Sequence, residues 1–535
     1  MHLKSPYNIE DLESIIGGTL SRREFLKVAA KGTAAIGAAA LFAGCGGNRA
    51  ASNSITIALE RDIDTLDPAM HRSRTTEAVI RNICDGLVTR DQNMKVVPEL
   101  AESWQMLDEK TWEFVLRRDV KFHDGSPFTA EDVKFTIDRI ITPGAVAGES
   151  SPRRGLLGDV DGADVVDEHT VLLHTSAPFP ALPSMLTFHE IVPKAYIERV
   201  GDREFATKPV GTGPFNLEVW RRGESILLRR FKEYYGGSPD IPPVGPAKLE
   251  RVLFKPVPES ASRISALLAG EVHIIENVPS HSVGTIETPR TIAQTAEGTR
   301  TYYLGLNVNL APFQDRRARQ AIGHAVNFEA IVDQVLSGYA TVLAGPMVPA
   351  AFGFDKDMAP VRHNPERVRR LLRQARFPMD HLIEIDTEDS DKEIAQVLAD
   401  QLRAVGLNAR ARVWNWDLLH PQLVNQRRAA FLTHWGNASL DPIDILEPLF
   451  TSDGRGNYTG FADARVDRLL VEARSMVVPA QRERAYINIQ RLINDTVPAI
   501  FGLVKKEIYG TSRSVQDWAP KSDGMLNMHR VSFRS

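Results

Sequence analysis

Apolar and polar residues alternate with a period of two in several short runs of the chain. These runs predict strands at 55–59, 112–116, 170–174, 225–231 and 251–255. Elsewhere the period lengthens to that of a helix. Val133, Ile137 and Ile140 fall on one face of a helix that Thr129 opens, with Asp132 three residues on as in a capping box. The segment 390–413 is the clearest unit. Ser390 and Glu393 read as a second capping box, and Ile394, Val397, Leu398, Leu402 and Val405 form an apolar stripe. Gly406 ends the helix in a left-handed conformation, and Leu407, Ala409, Ala411 and Val413 then alternate as a strand. Further helices are predicted over 318–336, recapped at Asn327, and over 481–494. Helices and strands alternate without an internal repeat, which predicts a mixed α/β protein in several lobes.

Six arginines crowd into residues 362–376. Val368, Leu371, Leu372 and Ala375 keep a regular helical spacing between them, so the segment reads as a helix with its guanidinium face in water rather than as an anion site.

The first fifty residues follow a different pattern. Ser21 to Lys27, with Arg22 and Arg23 at its centre, resembles a twin-arginine export signal. A weakly apolar stretch, 32–44, follows and ends at Phe42-Ala43-Gly44-Cys45, which resembles a lipobox although Phe42 stands where Leu is usual. The stretch is too short to span a bilayer. These signals predict export, cleavage of residues 1–44, lipid attachment at Cys45 and a polar tether over 45–52. The site of action is then extracytoplasmic, at the outer face of the cell membrane.

The 535-residue chain is longer than one core accommodates, so two or more lobes are expected. A net charge of −4 gives no polyanion-binding character, and nucleic acid is excluded as a partner. With Cys45 acylated, Cys84 has no partner for a disulfide. The chain contains no HExxH, no CxxC, no G-x-S-x-G and no P-loop: Gly211-Thr212-Gly213-Pro214 leads into Phe215 without the phosphate-binding lysine. His123, His189 and His434 stand apart from one another. No cofactor, no metal and no enzymatic activity are expected.

Several longer motifs carry a resemblance. Thr65-Leu66-Asp67-Pro68-Ala69, Asp85-Gly86-Leu87-Val88 and Pro98 to Trp104 come first, then Leu116 to Val133 with its His123-Asp124-Gly125 turn. Pro209-Val210-Gly211-Thr212-Gly213-Pro214-Phe215, Arg316 to Ala325, the Gly406 unit and Asp441-Pro442 follow. In this order, over nearly all of the mature chain, they resemble the extracytoplasmic solute-binding proteins of ABC importers, in the dipeptide, oligopeptide and nickel-binding family (family 5). The resemblance implies a type II periplasmic-binding-protein-like α/β fold: two ligand-binding lobes joined by a hinge, plus an inserted domain. One lobe is expected to be discontinuous (53–84, 209–300 and 507–535), the inserted domain to cover 85–208 and the other lobe 301–506. The implied function is a lipid-anchored receptor that hands a peptide, sugar or conjugate to the permease subunits of an importer. An exported hydrolase or glycosidase on the same scaffold, and a sensor or chaperone subunit, are the alternatives.

The resemblance places the solute near His434, Trp435, Gly436 and Asn437, with Trp414 and Trp416 as stacking surfaces and Asp62 after the first strand. Peptide-binding relatives carry an Asp, three residues before the acidic residue preceding Pro, that pairs with the peptide amine; here that position is Ala438. Where dipeptide binders carry an Arg for the peptide carboxylate, this chain has the acidic run Asp386 to Asp391. A buried unpaired carboxylate facing that run costs several kcal/mol, so a short zwitterionic peptide is disfavoured. Longer peptides, sugars, opine-like conjugates and metal chelates remain.

Overall fold

The computed structural model describes residues 53–534. The export and lipidation signals expected at Arg22, Arg23 and Cys45, and the tether at 45–52, lie outside the described residues.

Three sheets organise the fold. A seven-stranded sheet is ordered Thr291–Ala296, Glu507–Ser512, Ile274–Ile275, Ser54–Leu59, Arg251–Pro256, Ser225–Arg230 and Phe215–Arg221. A six-stranded sheet is ordered Ala340–Val342, Ala499–Lys505, Arg300–Leu306, Ala430–Gly436, Leu382–Glu388 and Asn408–Trp414. A four-stranded antiparallel sheet, Ala101–Asp108, Thr111–Leu116, Thr170–Thr175 and Val160–Asp167, packs on the helix Ala130–Ile141. The first strand runs parallel to both of its neighbours. Its Ile55, Ile57 and Leu59 enter one core and Ala58 another, so it is buried on both faces.

The chain passes between the two larger sheets twice, from Ala296 to Arg300 and from Lys505 to Glu507. Flanking strands pair on either side of the passage, Ala296 with Glu507 and Thr301 with Val504, so the crossing segments lie side by side. Gly298 makes this approach possible, because a Cβ there would strike the Lys505 carbonyl oxygen. Two lobes with a double-stranded hinge, and an additional domain, result.

Local chemistry explains most boundaries. Thr129 and Asp132 form the expected capping box, with the Thr129 N–H donating to Asp132 Oδ2 at 2.9 Å. Asn327 accepts from the Ala330 N–H and divides the long helical stretch into Arg316–Ala325 and Phe328–Gln334. Gly406 takes φ +92° before the strand Asn408–Trp414, and the arginine-rich helix Pro365–Ala375 buries Val368, Leu371 and Leu372 with its guanidinium face outward. Ser390 differs from expectation. A 3-10 turn, Asp389–Asp391, precedes the helix Lys392–Ala404, and Ser390 does not cap it. Asp391 is drawn inward instead, where Lys505 Nζ lies 2.6 Å from its Oδ1.

The family-like motifs tie the additional domain to the lobe of the seven-stranded sheet and brace the other lobe from within. Asp67 accepts a bidentate pair from Arg139, which belongs to the helix over the four-stranded sheet, and caps its own turn by accepting from Ala69 N–H at 2.9 Å. The His123 ring reaches the Gly211–Gly213 turn. A Cβ on Gly211 would strike the Ile83 carbonyl oxygen and Cys84 Sγ, so this packing admits only glycine. Asp441 accepts from Arg482 through both oxygens at 2.7 Å, with both residues buried.

Candidate functional site

A cavity of about 320 Å³ opens where the three parts of the fold meet. Its walls come from 72–90, from 153–188 of the additional domain, from Thr299 and Arg300 at the hinge, from 435–455 and from 523–525. Trp435 forms one apolar wall. It is held by its Nε1–H, which donates to the Asp444 carbonyl at 2.9 Å, and the Arg455 guanidinium lies 4.6 Å from its ring centroid.

The charge of the lining is uneven, with seven arginines against three carboxylates. Four of the arginines are engaged inside the protein. Arg74 makes a bidentate pair with Glu507, Nη1 to Oε1 at 2.6 Å and Nη2 to Oε2 at 2.9 Å. Burial opposes the charge on both, yet each holds the other ionised: Arg74 is raised and Glu507 lowered from its ordinary pKa. Arg81 contacts Glu77 at 3.0 Å and Glu190 at 3.2 Å, and Arg153 contacts Glu77 at 3.0 Å. Arg90 is buried and donates to the carbonyls of Met94 and Ser439, both at 2.7 Å; desolvation brings its pKa down to about 10. Arg72, Arg300 and Arg455 make no side-chain hydrogen bond and no ion pair among the described residues.

The carboxylates have fixed tasks. Glu77 is shared by Arg81 and Arg153. Asp523 accepts from the Met525 N–H at 3.0 Å and lies 3.2 Å from Lys521. Asp444 is pushed up by desolvation, which the Ser439 N–H and then Arg455 and Arg72 oppose.

The chain matches the family model described as "Bacterial extracellular solute-binding proteins, family 5 Middle" over residues 95–457. It belongs to this family. Family 5 proteins deliver peptides or related small solutes to ABC importers. The glutathione-binding protein GsiB of Escherichia coli O1:K1 / APEC is 26% identical over 501 residues, covering 90% of this chain and 95% of the relative. Two solved structures share the fold over 90% of this chain and 100% of theirs. The substrate-binding protein CtaP of Listeria monocytogenes has a TM-score of 0.82 at 21% identity, and HbpA2 of Haemophilus parasuis has 0.79 at 22%. Among the described residues no helix is long and apolar enough to cross a membrane.

Within this family 5 fold, the residues singled out from sequence are dispersed. Trp435 and Gly436 line the cavity, as does Ala438. Asn437 is buried beside them, its N–H donating to the Thr299 carbonyl, and does not line the cavity. Trp414 sits on the edge strand of the six-stranded sheet, where its Nε1–H donates to Asp386 at 2.6 Å and Arg412 and Arg428 lie over its ring. Trp416 is exposed and lies beside His420. Asp62 is exposed and accepts from the Gly223 N–H at 3.0 Å. None of these three lines the cavity. The acidic run also points elsewhere: Asp386 is paired with Arg412, and Asp391 with Lys505.

His434 lies outside the cavity lining, against Tyr302, with its Nδ1 3.8 Å from Asp391 and 3.9 Å from Glu388. Glu388, Asp391 and His434 present ligand atoms within 4.8 Å of one another and could hold a metal ion. Lys505, 2.6 Å from Asp391, already supplies positive charge to this group. Together with His434 it holds Asp391 below its ordinary pKa against desolvation. The arginines of the cavity went unremarked in the sequence. They are spread over distant segments, and no local pattern marks them.

Proposed function

We propose that this chain is a lipid-anchored receptor that encloses a small solute of the peptide or peptide-conjugate class and presents it to the permease subunits of an ABC importer. The observation that carries this reading is the cavity at the junction of two lobes and an additional domain, beside a double-stranded hinge, in a member of family 5. Solute contacts on both sides favour the closed arrangement, and the importer reads closure. The GsiB relative, matched over 90% of this chain, argues for a short peptide or conjugate as cargo, and the acidic run expected to disfavour a short zwitterionic peptide does not line the cavity. On this reading the lobes comprise 53–84 with 209–300 and 507–535, and 301–506, with 85–208 as the additional domain. Trp435 and Gly436 contact the solute.

A hydrolytic role is disfavoured by the lining. Glu77 and Asp523 are committed to cations and backbone, which leaves no pair of free carboxylates for glycoside cleavage. Export and anchoring rest on Arg22, Arg23 and Cys45. Native mass spectrometry of protein isolated from its own host tests the reading: one small solute is expected at a 1:1 ratio and is recovered unchanged. A consumed solute, or a Cys45→Ser chain still held in the membrane, contradicts it.

A further inference from the structure

The cavity carries charge that the protein leaves unanswered. Arg72, Arg300 and Arg455 all face it, and among the described residues none has a carboxylate within ion-pair distance. They come from different bodies. Arg72 lies just ahead of the helix Arg74–Ile80, on the side of the seven-stranded sheet. Arg300 opens its strand in the six-stranded sheet, and Arg455 follows the helix Leu446–Phe450 on that same side. Lone surface arginines are ordinary; three converging on one cavity that already holds four others are not. They also oppose one another. Arg72 is lowered from its ordinary pKa, first by desolvation and then by Arg455 and Arg153, which outweigh the opposing pull of Asp444. Bringing the lobes together therefore works against like charge unless an anion lies between them.

The nearby acids do not supply that anion. Glu77 is shared by two arginines, and Asp523 is answered by Lys521 and a backbone N–H. Asp444 is the lining acid that Arg72 and Arg455 feel, but it lies beyond ion-pair distance of both, accepts from the Ser439 N–H, and burial pushes its pKa up. Ala438, also in the lining, contributes no charge. The planar guanidinium fork suits carboxylates and phosphates, each of which accepts two parallel hydrogen bonds. Trp435, beneath Arg455, offers a flat face for the body of such a molecule.

We propose that the solute is a small polyanion, with at least two oxyanionic groups, that bridges Arg72 on one lobe to Arg300 and Arg455 on the other. The solute's charge is then the closing device. It turns the repulsion between Arg72 and Arg455 into attraction through a shared ligand, so that the closed arrangement is favoured only when the anion is present. This rests on the receptor reading above and narrows its cargo to acidic peptides, multiply carboxylated conjugates or phosphorylated small molecules.

Isothermal titration calorimetry on the full-length detergent-solubilised protein tests it, with glutathione, its diethyl ester, citrate, glycerol 3-phosphate, pyrophosphate and triglycine as probes. The solute that co-purifies from the host is identified by mass spectrometry in parallel. The expected results are binding of one or more of the anionic probes, none of the ester or triglycine, and affinity that falls as sodium chloride rises from 20 to 300 mM. Arg72→Gln and Arg455→Gln are each expected to weaken binding at least about tenfold, and Arg72→Lys to recover part of the loss. Circular dichroism confirms that the variants fold. The carboxylate and phosphate probes separate the two chemical sources of the anion. A neutral co-purified solute, or salt-independent binding that survives both glutamine variants, overturns the polyanion while leaving a receptor in place. Absence of any bound or co-purified small molecule overturns the receptor reading and the polyanion with it.

Discussion

Arg74 and Glu507 meet as a bidentate pair at the point where the chain has just crossed from one lobe to the other. Arg74 also lines the cavity. One ion pair thus joins the wall of the site to the hinge. Glu507→Gln leaves the guanidinium without its counter-charge. The expected cost is about 3 kcal/mol, typical of a broken buried pair, read as a lowered urea midpoint. Because Glu507 is held below its ordinary pKa, its contribution is present above the ordinary carboxylate range and is lost as pH falls through it.

His123 ties two distant motifs. Its Nε2–H donates to the Gly213 carbonyl at 2.9 Å while Nδ1 accepts from the Gly211 N–H at 3.3 Å, an arrangement that requires the neutral ring. Desolvation brings its pKa down to about 4. The folded protein therefore binds fewer protons here than the unfolded chain between about pH 6.5 and 4, and stability falls as pH drops through that window. His123→Ala is expected to cost about 1–3 kcal/mol at pH 7 and to flatten the loss between pH 6.5 and 4, both measurable by chemical denaturation.

Glu276 acts in the opposite direction. Its Oε1 accepts from the Glu60 N–H at 2.7 Å, and burial raises its pKa to about 7. The folded state holds this proton where the unfolded chain has released it. Its contribution is full below about pH 4.5 and is lost as pH rises through 7. Glu276→Gln keeps the acceptor, so the variant is expected to match the parent at pH 5 and to exceed it at pH 8.5 in thermal unfolding.

Trp435 and Trp416 stand in different surroundings. Trp435 lines the cavity beneath Arg455, whereas Trp416 is exposed beside His420. Trp435→Ala is expected to weaken solute binding by about tenfold, the scale of one lost stacking contact of about 1.4 kcal/mol. Trp416→Ala is expected to leave binding unchanged. Calorimetry with the co-purified solute compares the two.

Gly298 sets the hinge. A methyl group there would strike the Lys505 carbonyl oxygen and separate the two crossing segments. Gly298→Ala is expected to cost about 1–3 kcal/mol through overpacking and to weaken solute-driven closure, seen as a smaller change in scattering radius on binding.

Much of this was written locally. The strands at 55–59, 112–116 and 251–255, the Thr129–Asp132 box, the Asn327 break and the Gly406 stop rest on residues a few positions apart, so periodicity and capping chemistry reveal them. The motifs that marked the family were legible for the same reason, and His123, Asp67 and Asp441 turned out to bind the architecture together. Ser390 was misleading, because the pull of Lys505 on Asp391 comes from more than a hundred residues away.

Charge shows the division most plainly. Of the six arginines at 362–376, four stand on a helix face in water and Arg362 and Arg376 flank that helix, also exposed, as the apolar spacing predicted. The arginines of the cavity are scattered from Arg72 to Arg455, and no window of sequence contains more than a few of them. Short-range order follows from neighbours along the chain. A binding site is built from neighbours in space, so only the folding of the sheets about the hinge could decide that the acidic run would turn away and that these guanidinium groups would face one another.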